Sequence, residues 1–275
     1  MDKVDYKSIL AQNGFNFNKS LGQNFIFDEN LLNAIVTDSG IGIDDTVVEI
    51  GVGAGSMTNI LAQNCKKVIG YEIDKRLSDV HQKTLLYKNI EMHYQDFLKV
   101  SDDDLKNLGE YKVVANLPYY ITTPIIFRLL ECNNPPSSIT IMVQKEVADR
   151  IVARPATSDY GVLSVTVALH CTAKIIRKVP RTAFVPAPNV DSAIVYLNKN
   201  ITPISNIPKI SKLVKIAFSN RRKMLTNNLM QGYGITKDQA INAIKAINVK
   251  ETIRGEILSM EQFVDLNKSL SDIIK

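Results

Sequence analysis

The run Glu49-Ile50-Gly51-Val52-Gly53-Ala54-Gly55 constrains the fold of this chain more than any other segment. It follows an apolar, β-branched stretch, residues 46–50, that reads as a buried strand, and it precedes residues 56–63, which have helical spacing. Glycines at alternate positions let the backbone turn tightly between strand and helix and approach a ligand closely. A lone glycine loop is a common chance occurrence, so its neighbours carry the argument. The spacing is G-x-G-x-G; no glycine recurs at Ser56 or Met57 to complete the G-x-G-x-x-G of dinucleotide folds. No Lys-Ser/Thr pair follows, which excludes a nucleoside-triphosphate P-loop.

The same alternation continues along the chain. Strand patterns at residues 67–73, 90–94, 112–115 and 138–143 alternate with helical patterns at 75–87, 124–132 and 145–153. An earlier helix is expected over residues 29–38, with Asp28 as N-cap and Gly40 as stop. This rhythm predicts an α/β protein with a mostly parallel sheet covered on both faces. Beyond Gly161 the pattern becomes β-rich, at residues 163–170, 174–179 and 192–197, and antiparallel strands are expected at the sheet edge. A polar stretch, residues 198–206, reads as a linker between Pro-containing flanks. Four helical patterns follow at 210–219, 223–231, 237–247 and 260–274. The expected organisation is therefore a cofactor domain over residues 1–200 and a small all-helical domain over residues 201–275.

Carboxylates at successive strand ends define the cofactor. Glu72 ends the second strand of the series, about 20 residues beyond the glycines, where an acidic side chain holds ribose hydroxyls. Asp96, followed by Phe97, ends the third and can accept the amino hydrogens of an adenine. Taken alone, Asp96 is better read as a helix cap. In series with Gly51, Gly53 and Glu72 it reads as a ligand, because open α/β sheets bind at their strand ends. A nucleoside-type cofactor without a pyrophosphate fits, and S-adenosylmethionine is the obvious one.

Asn116-Leu117-Pro118-Tyr119 follows the next strand. Adenine's exocyclic nitrogen is a poor nucleophile, because its lone pair is delocalised into the ring. An acceptor on each N–H bends that nitrogen toward tetrahedral geometry and returns electron density to it. The Asn116 side-chain oxygen and the Leu117 carbonyl can do this, with Pro118 fixing the turn. Tyr119 would stack on the base, an interaction worth roughly 1–3 kcal/mol per base. In isolation the tetrapeptide reads as an ordinary turn closing a strand; after the glycine loop, Glu72 and Asp96 it reads as a reacting centre. Phe184, in Phe184-Val185-Pro186-Ala187-Pro188, is a candidate second wall against a flipped base, with a core position as the equal alternative.

Other chemistries find little support. His81, His93 and His170 and the widely separated Cys65, Cys132 and Cys171 show no metal-ligand or triad spacing, and no metal is expected. The cysteines read as buried thiols of a reducing compartment. The N-terminus lacks an apolar signal core, and no stretch approaches a membrane-spanning length, so a cytoplasmic protein is expected. The formal charge of +5 is unevenly spread. Residues 1–199 carry 21 Lys/Arg against 22 Asp/Glu, and residues 200–275 carry 12 against 6. The basic excess thus lies in the last quarter, which suggests a polyanion-facing surface with Arg221, Arg222 and Lys223 as its densest cluster.

Together these segments resemble the ribosomal RNA adenine dimethyltransferase family, and within it the small-subunit enzymes whose loss gives kasugamycin resistance. The resemblance runs through Lys19-Ser20-Leu21-Gly22-Gln23-Asn24-Phe25, the glycine loop, Asn116-Leu117-Pro118-Tyr119, the stretch from Phe184 to Ser192, and Phe218-Ser219-Asn220-Arg221-Arg222-Lys223-Met224-Leu225. It implies a Rossmann-like class I methyltransferase fold. It also implies two successive methylations on each of two adjacent adenosines in the 3′-terminal hairpin of small-subunit (16S) RNA, within an assembling 30S particle, by a monomer. Carried over by position, it implies that Asn24 and Ile26 line the cofactor pocket, that Gly51 faces the methionine part, Glu72 the ribose and Asp96 the adenine, and that Asn116 lies between cofactor and target. Val52 stands where the family usually has Pro, and Met57 where Leu is common. The rivals are the large-subunit (23S) adenine methyltransferase of macrolide resistance and a non-catalytic assembly factor on the same scaffold. Leu21-Gly22-Gln23 and the run from Arg221 to Leu225 favour the small-subunit enzyme, and the intact Gly51, Glu72, Asp96 and Asn116 argue against a non-catalytic role.

Overall fold

The computed structural model describes residues 4–202 and 204–274; Met1–Lys3, within the segment read above against a signal, and Pro203, at the linker, lie outside it. Nine strands occur among the described residues: β1 Phe25–Ile26, β2 Thr46–Ile50, β3 Lys67–Tyr71, β4 Ile90–His93, β5 Lys112–Asn116, β6 Ser138–Gln144, β7 Cys171–Val179, β8 Phe184–Val185 and β9 Ser192–Lys199. Seven form one sheet in the order β4-β3-β2-β5-β6-β9-β7. The pairs β4–β3, β3–β2, β2–β5 and β5–β6 are parallel, and β6–β9 is antiparallel. The expected mostly parallel sheet with an antiparallel edge is what the chain forms.

Burial explains why these segments are strands. Val47, Val48, Val68, Val113, Val114, Ile139 and Ile141 are at most 4% exposed, so both faces of the central strands are covered. Such strands read as continuous apolar runs rather than alternating ones. Helix Glu29–Asp38 starts where Asp28 accepts hydrogen bonds from the Asn30 and Leu31 amides, and it buries Leu32, Ile35 and Val36. Among the remaining helices of this part, Ser56–Asn64 follows β2 and Thr122–Glu131 follows β5. Asp102–Asn107 has no counterpart in the sequence pattern: it is a short helix started by a reciprocal Ser101/Asp104 cap, and six residues are too few to show a period.

The chain forms two compact units, and their boundary differs from the expected one at residue 200. The first comprises residues 1–148 and 173–199; the second comprises 149–172 and 200–275. The reason lies in residues 163–170, whose pattern predicts a strand and which instead form helix Val162–His170. Their β-branched run Val165-Thr166-Val167 favours a strand locally, but β propensity yields to burial. Val165 and Leu169, four residues apart on one helix face, enter an apolar core with Leu213, Val214, Leu229, Ala240, Ile244, Phe263 and Leu266. Helices Ile207–Ala217, Leu225–Tyr233, Lys237–Ala246 and Met260–Ser271 complete that unit. Among the described residues no helix is long and apolar enough to cross a membrane.

Candidate active site

Strand register brings the site together. Ile50, Tyr71 and His93 lie side by side across β2, β3 and β4, and Ala115 of β5 stands opposite Ile50. The residues that follow each therefore emerge at one edge of the sheet. The Gly51 amide donates to the Tyr71 carbonyl (2.8 Å) and the Glu72 amide to the His93 carbonyl (3.0 Å), which carries the parallel ladder one step beyond the strands. A pocket opens at this edge. Gly51, Gly53, Glu72, Asp96, Asn116, Leu117, Pro118 and Tyr119 line it, with Asn24 from the N-terminal segment.

The glycine loop is shaped by need. Gly51 and Gly53 have φ of 79° and 59°, in the left-handed region that side chains disfavour. A Cβ on Gly53 would stand 3.0 Å from the Phe25 ring, so the N-terminal segment can lie against the loop only because no side chain intervenes. His81 supports the loop from behind. Its Nε2 donates to the Gly53 carbonyl (2.7 Å), which leaves Nδ1 to accept from the Tyr94 hydroxyl (2.8 Å). Burial lowers its pKa, so His81 is a neutral strut rather than a base. Nothing in the sequence spacing marks this role.

Glu72 is 5% exposed, and burial raises its pKa. One carboxylate oxygen accepts from the Gly53 amide (2.9 Å) and the other from the Asp74 amide (2.8 Å). Each oxygen keeps a lone pair for a ligand hydroxyl. Asp96 accepts from the Leu98 amide (3.0 Å), so it caps a short helical turn and lines the pocket as well. The cap bond uses Oδ1, so the capping position and a place in the pocket lining are compatible. Glu49, the penultimate residue of β2, is fully buried, and neither of its carboxyl oxygens has a hydrogen-bond partner among the described residues. Burial pushes its pKa up to about 8; the nearby Glu72 charge adds to the rise and the Thr58 hydroxyl opposes it.

The Asn116 amide has a defined orientation. Its Nδ2 donates to the Asn24 carbonyl (3.0 Å), and only the nitrogen can donate there, so Oδ1 is the acceptor, without a partner among the described residues. The Leu117 carbonyl also accepts no hydrogen bond among the described residues, whereas the Pro118 carbonyl is taken by the Ile121 amide and the Thr122 hydroxyl. Tyr119 is fixed by a 2.7 Å hydrogen bond between its hydroxyl and Ser192.

Ile26 is 3% exposed and borders a smaller space beneath the glycine loop, which shares Phe25, Gly51, Gly53 and Asn116 with the pocket. Phe184 lies in the core. It pairs with Ile26 in the β1–β8 ribbon and is 3% exposed among Ile26, Val179 and Ile194. Alternation along β8 turns Phe184 inward and Val185 outward, so the core reading of Phe184 prevails over the stacking one.

The sequence profile of the ribosomal RNA adenine dimethylase family matches residues 14–272. The chain belongs to that family. Among relatives of this adenine dimethylase family member, the ribosomal RNA small subunit methyltransferase A of Geobacillus thermodenitrificans is 41% identical, over 98% of this chain and 96% of the relative. That of Streptococcus agalactiae is 42% identical, over 99% and 98%. Among solved structures, a dimethyladenosine transferase from Plasmodium falciparum superposes with a TM-score of 0.80 at 27% identity, covering 90% of this chain and 98% of the other. The 23S rRNA methyltransferase ErmE superposes with a TM-score of 0.69 at 27% identity, covering 90% and 100%. The fold of this adenine dimethylase family member is the Rossmann-like class I methyltransferase fold.

In the helical unit, the three cations of the basic cluster are not equivalent. Arg221 is committed internally: its guanidinium donates to Glu256 (2.9 Å) and to the Ser158 and Tyr160 carbonyls (2.8 and 3.0 Å). It staples the segment before helix Val162–His170 to the rest of the unit. Arg222 and Lys223 are exposed, and their cationic heads have no partner among the described residues. Arg222→Ala and Lys223→Ala are therefore expected each to reduce the salt dependence of RNA binding by about one unit of slope. Arg221→Ala is expected instead to lower the unfolding midpoint. Filter binding across a salt series and chemical denaturation read the two outcomes; a changed slope with unchanged stability for Arg221→Ala would reverse the assignment.

Proposed function

We propose that this chain transfers methyl groups from S-adenosylmethionine to the exocyclic amines of two adjacent adenosines in the 3′-terminal hairpin of small-subunit ribosomal RNA, two to each. It acts as a cytoplasmic monomer on an assembling 30S particle. The observation that carries the reading is the pair of free acceptors, Asn116 Oδ1 and the Leu117 carbonyl, at the mouth of a pocket floored by Gly51 and walled by Glu72 and Asp96. Membership of the adenine dimethylase family and the names of the relatives support the substrate.

The residues fit the cofactor. A Cβ on Gly51 would stand 3.4 Å from the Asn116 carbonyl oxygen, so the glycine leaves the space between the two strand ends open. Glu72 offers acceptors for ribose hydroxyls and Asp96 for an adenine amine. When bound, S-adenosylmethionine supplies an electrophilic methyl on a sulfonium centre. The chain's part is to present the nucleophile. Asn116 Oδ1 and the Leu117 carbonyl each accept one amine hydrogen, which turns the nitrogen lone pair out of the ring plane. Tyr119, anchored at Ser192, stacks on the base. After transfer the amine carries an extra proton, which leaves to water. No general base is needed, in keeping with the engagement of both His81 ring nitrogens. For the second methylation only one N–H remains, so one acceptor suffices.

Incubating small-subunit particles and large-subunit RNA side by side with labelled cofactor tests the reading. Label is expected on the small-subunit particles. Label on large-subunit RNA alone would overturn it in favour of the macrolide-resistance chemistry, and RNA binding without label would favour an assembly factor.

A further inference from the structure

The hydrogen bond between Gln23 and Asp74 is not used by the chemistry above, yet it closes a continuous path between the two ends of the pocket. Gln23 Nε2 donates to Asp74 Oδ2 at 2.7 Å, and Gln23 Oε1 accepts from the Asn18 amide at 2.7 Å. A carboxylate on one side and an N–H on the other fix the amide's orientation. Asp74 is 5% exposed. Its oxygens also accept from the Arg76 guanidinium (2.8 and 2.6 Å), which holds the carboxyl ionised below its usual range. Arg76 in turn stands 5.2 Å from the centre of the Phe15 ring, and Phe15 stacks on Phe25, the ring that lies against Gly53.

Four hydrogen bonds make the path. Gly53 donates to Glu72, the Asp74 amide donates to the other oxygen of Glu72, Gln23 donates to the Asp74 side chain, and the next residue, Asn24, presents its carbonyl to Asn116 Nδ2. Asn24 is further braced by its own side chain, which donates to the Gly22 carbonyl (3.0 Å). Nothing else among the described hydrogen bonds ties the side chains of residues 21–24 to the sheet edge. On the far side of Asn24 the backbone is held by the β1–β8 pairing and by Ser56, whose Oγ donates to the Ile26 carbonyl (2.7 Å), so Gln23 is the side-chain hold on the N-terminal side of the Asn24 carbonyl and thus of the Asn116 amide.

We propose that Gln23 and Asp74 form a latch that holds residues 21–24 across the pocket and so sets the Asn116 amide with Oδ1 toward the target amine. Gln23 is a positioning residue: it acts on the reacting centre through the Asn24 carbonyl. The inference rests on Asn116 being the amine acceptor, but the latch itself can be read in the cofactor-free protein.

Three variants test it: Gln23→Leu, Asp74→Asn, and the double variant Gln23→Glu/Asp74→Asn. The double variant exchanges donor and acceptor and can re-form the bond, while the carboxylate introduced at position 23 still accepts from the Asn18 amide. Backbone hydrogen exchange at residues 21–26 without cofactor is the first readout, and kcat against target-RNA Kd is the second. A hydrogen bond to a charged group implies a change of about tenfold or more when it is lost. Exchange in Gln23→Leu is expected to quicken by about that factor. Its kcat is expected to fall similarly, with RNA affinity unchanged. The double variant is expected to recover both protection and turnover. Unchanged exchange in Gln23→Leu would overturn the latch. Recovered protection without recovered turnover would overturn its role in setting Asn116. Failure of the wild type to methylate would instead count against the functional reading, and the exchange result would stand apart from it.

Discussion

Asn116→Ala is expected to abolish methyl transfer while leaving RNA binding intact. The substitution removes the one side-chain acceptor aimed at the target amine. It also removes the donor that meets the Asn24 carbonyl at 3.0 Å, so the N-terminal segment loses its contact with the strand end. Removing one preorganised polar group from a reacting centre costs on the order of 10²–10³-fold in turnover. The loss here is expected at the upper end, because two functions leave together. RNA affinity is expected to be unchanged, since phosphate contacts dominate it and the exposed cations Arg222 and Lys223 lie in the other unit. Asn116→Asp separates the two functions. It keeps an acceptor but sets an oxygen against the Asn24 carbonyl, so intermediate activity is expected. Single-turnover transfer and filter binding read both quantities. Undiminished transfer by Asn116→Ala would remove the acceptor pair as the reacting centre.

The second large effect is on stability and comes from Glu49. In the unfolded chain its carboxyl titrates near the ordinary value of 4.5; in the fold, burial moves that titration to about 8. Between these values the unfolded state has released its proton and the folded state keeps it. Stability must then fall as pH rises through that window. A shift of this size corresponds to a loss on the order of a few kcal/mol by the top of the window. Burial raises Glu72 in the same direction, so the whole slope does not belong to Glu49. The difference between wild type and Glu49→Gln isolates it. The amide introduced by that substitution would also be buried without partners, at a cost that does not vary with pH. Denaturant unfolding of the cofactor-free protein at several pH values is expected to give a flatter profile for Glu49→Gln than for the wild type. Parallel profiles would contradict the assignment.

How much of this could be read from the sequence depended on whether a feature was local. The strand-loop-helix at Thr46–Asn64 and the strand-end positions of Glu72, Asp96 and Asn116 were legible, because strand periodicity and glycine spacing are properties of neighbouring residues. The helix Val162–His170 was not. Its β-branched composition is a local signal for a strand, and only a core built from residues some fifty to a hundred positions later makes it helical. That same helix moved the unit boundary. Phe184 was an even choice between core and stacking, and the pairing of β8 with β1, more than 150 residues away in sequence, decided it. Asn24 has no spacing that marks a site; only the family resemblance pointed to it, and in the structure it lines the pocket with its carbonyl meeting Asn116 Nδ2. His81 and Gln23 carried no signal at all, since each acts through hydrogen bonds to distant segments. Arg221, the first residue of a conspicuous basic run, proved to be an internal staple.

If the acceptors at Asn116 and Leu117 serve an adenine amine twice over, the product itself must show it. The direct measurement is mass spectrometry of the 3′-terminal hairpin from small-subunit particles lacking these methyls, after incubation with the protein and labelled S-adenosylmethionine. Two neighbouring adenosines are expected, each carrying two labelled methyl groups on the exocyclic nitrogen. Label confined to another RNA segment, or a product that stops at one methyl per adenosine under saturating cofactor, would contradict that role.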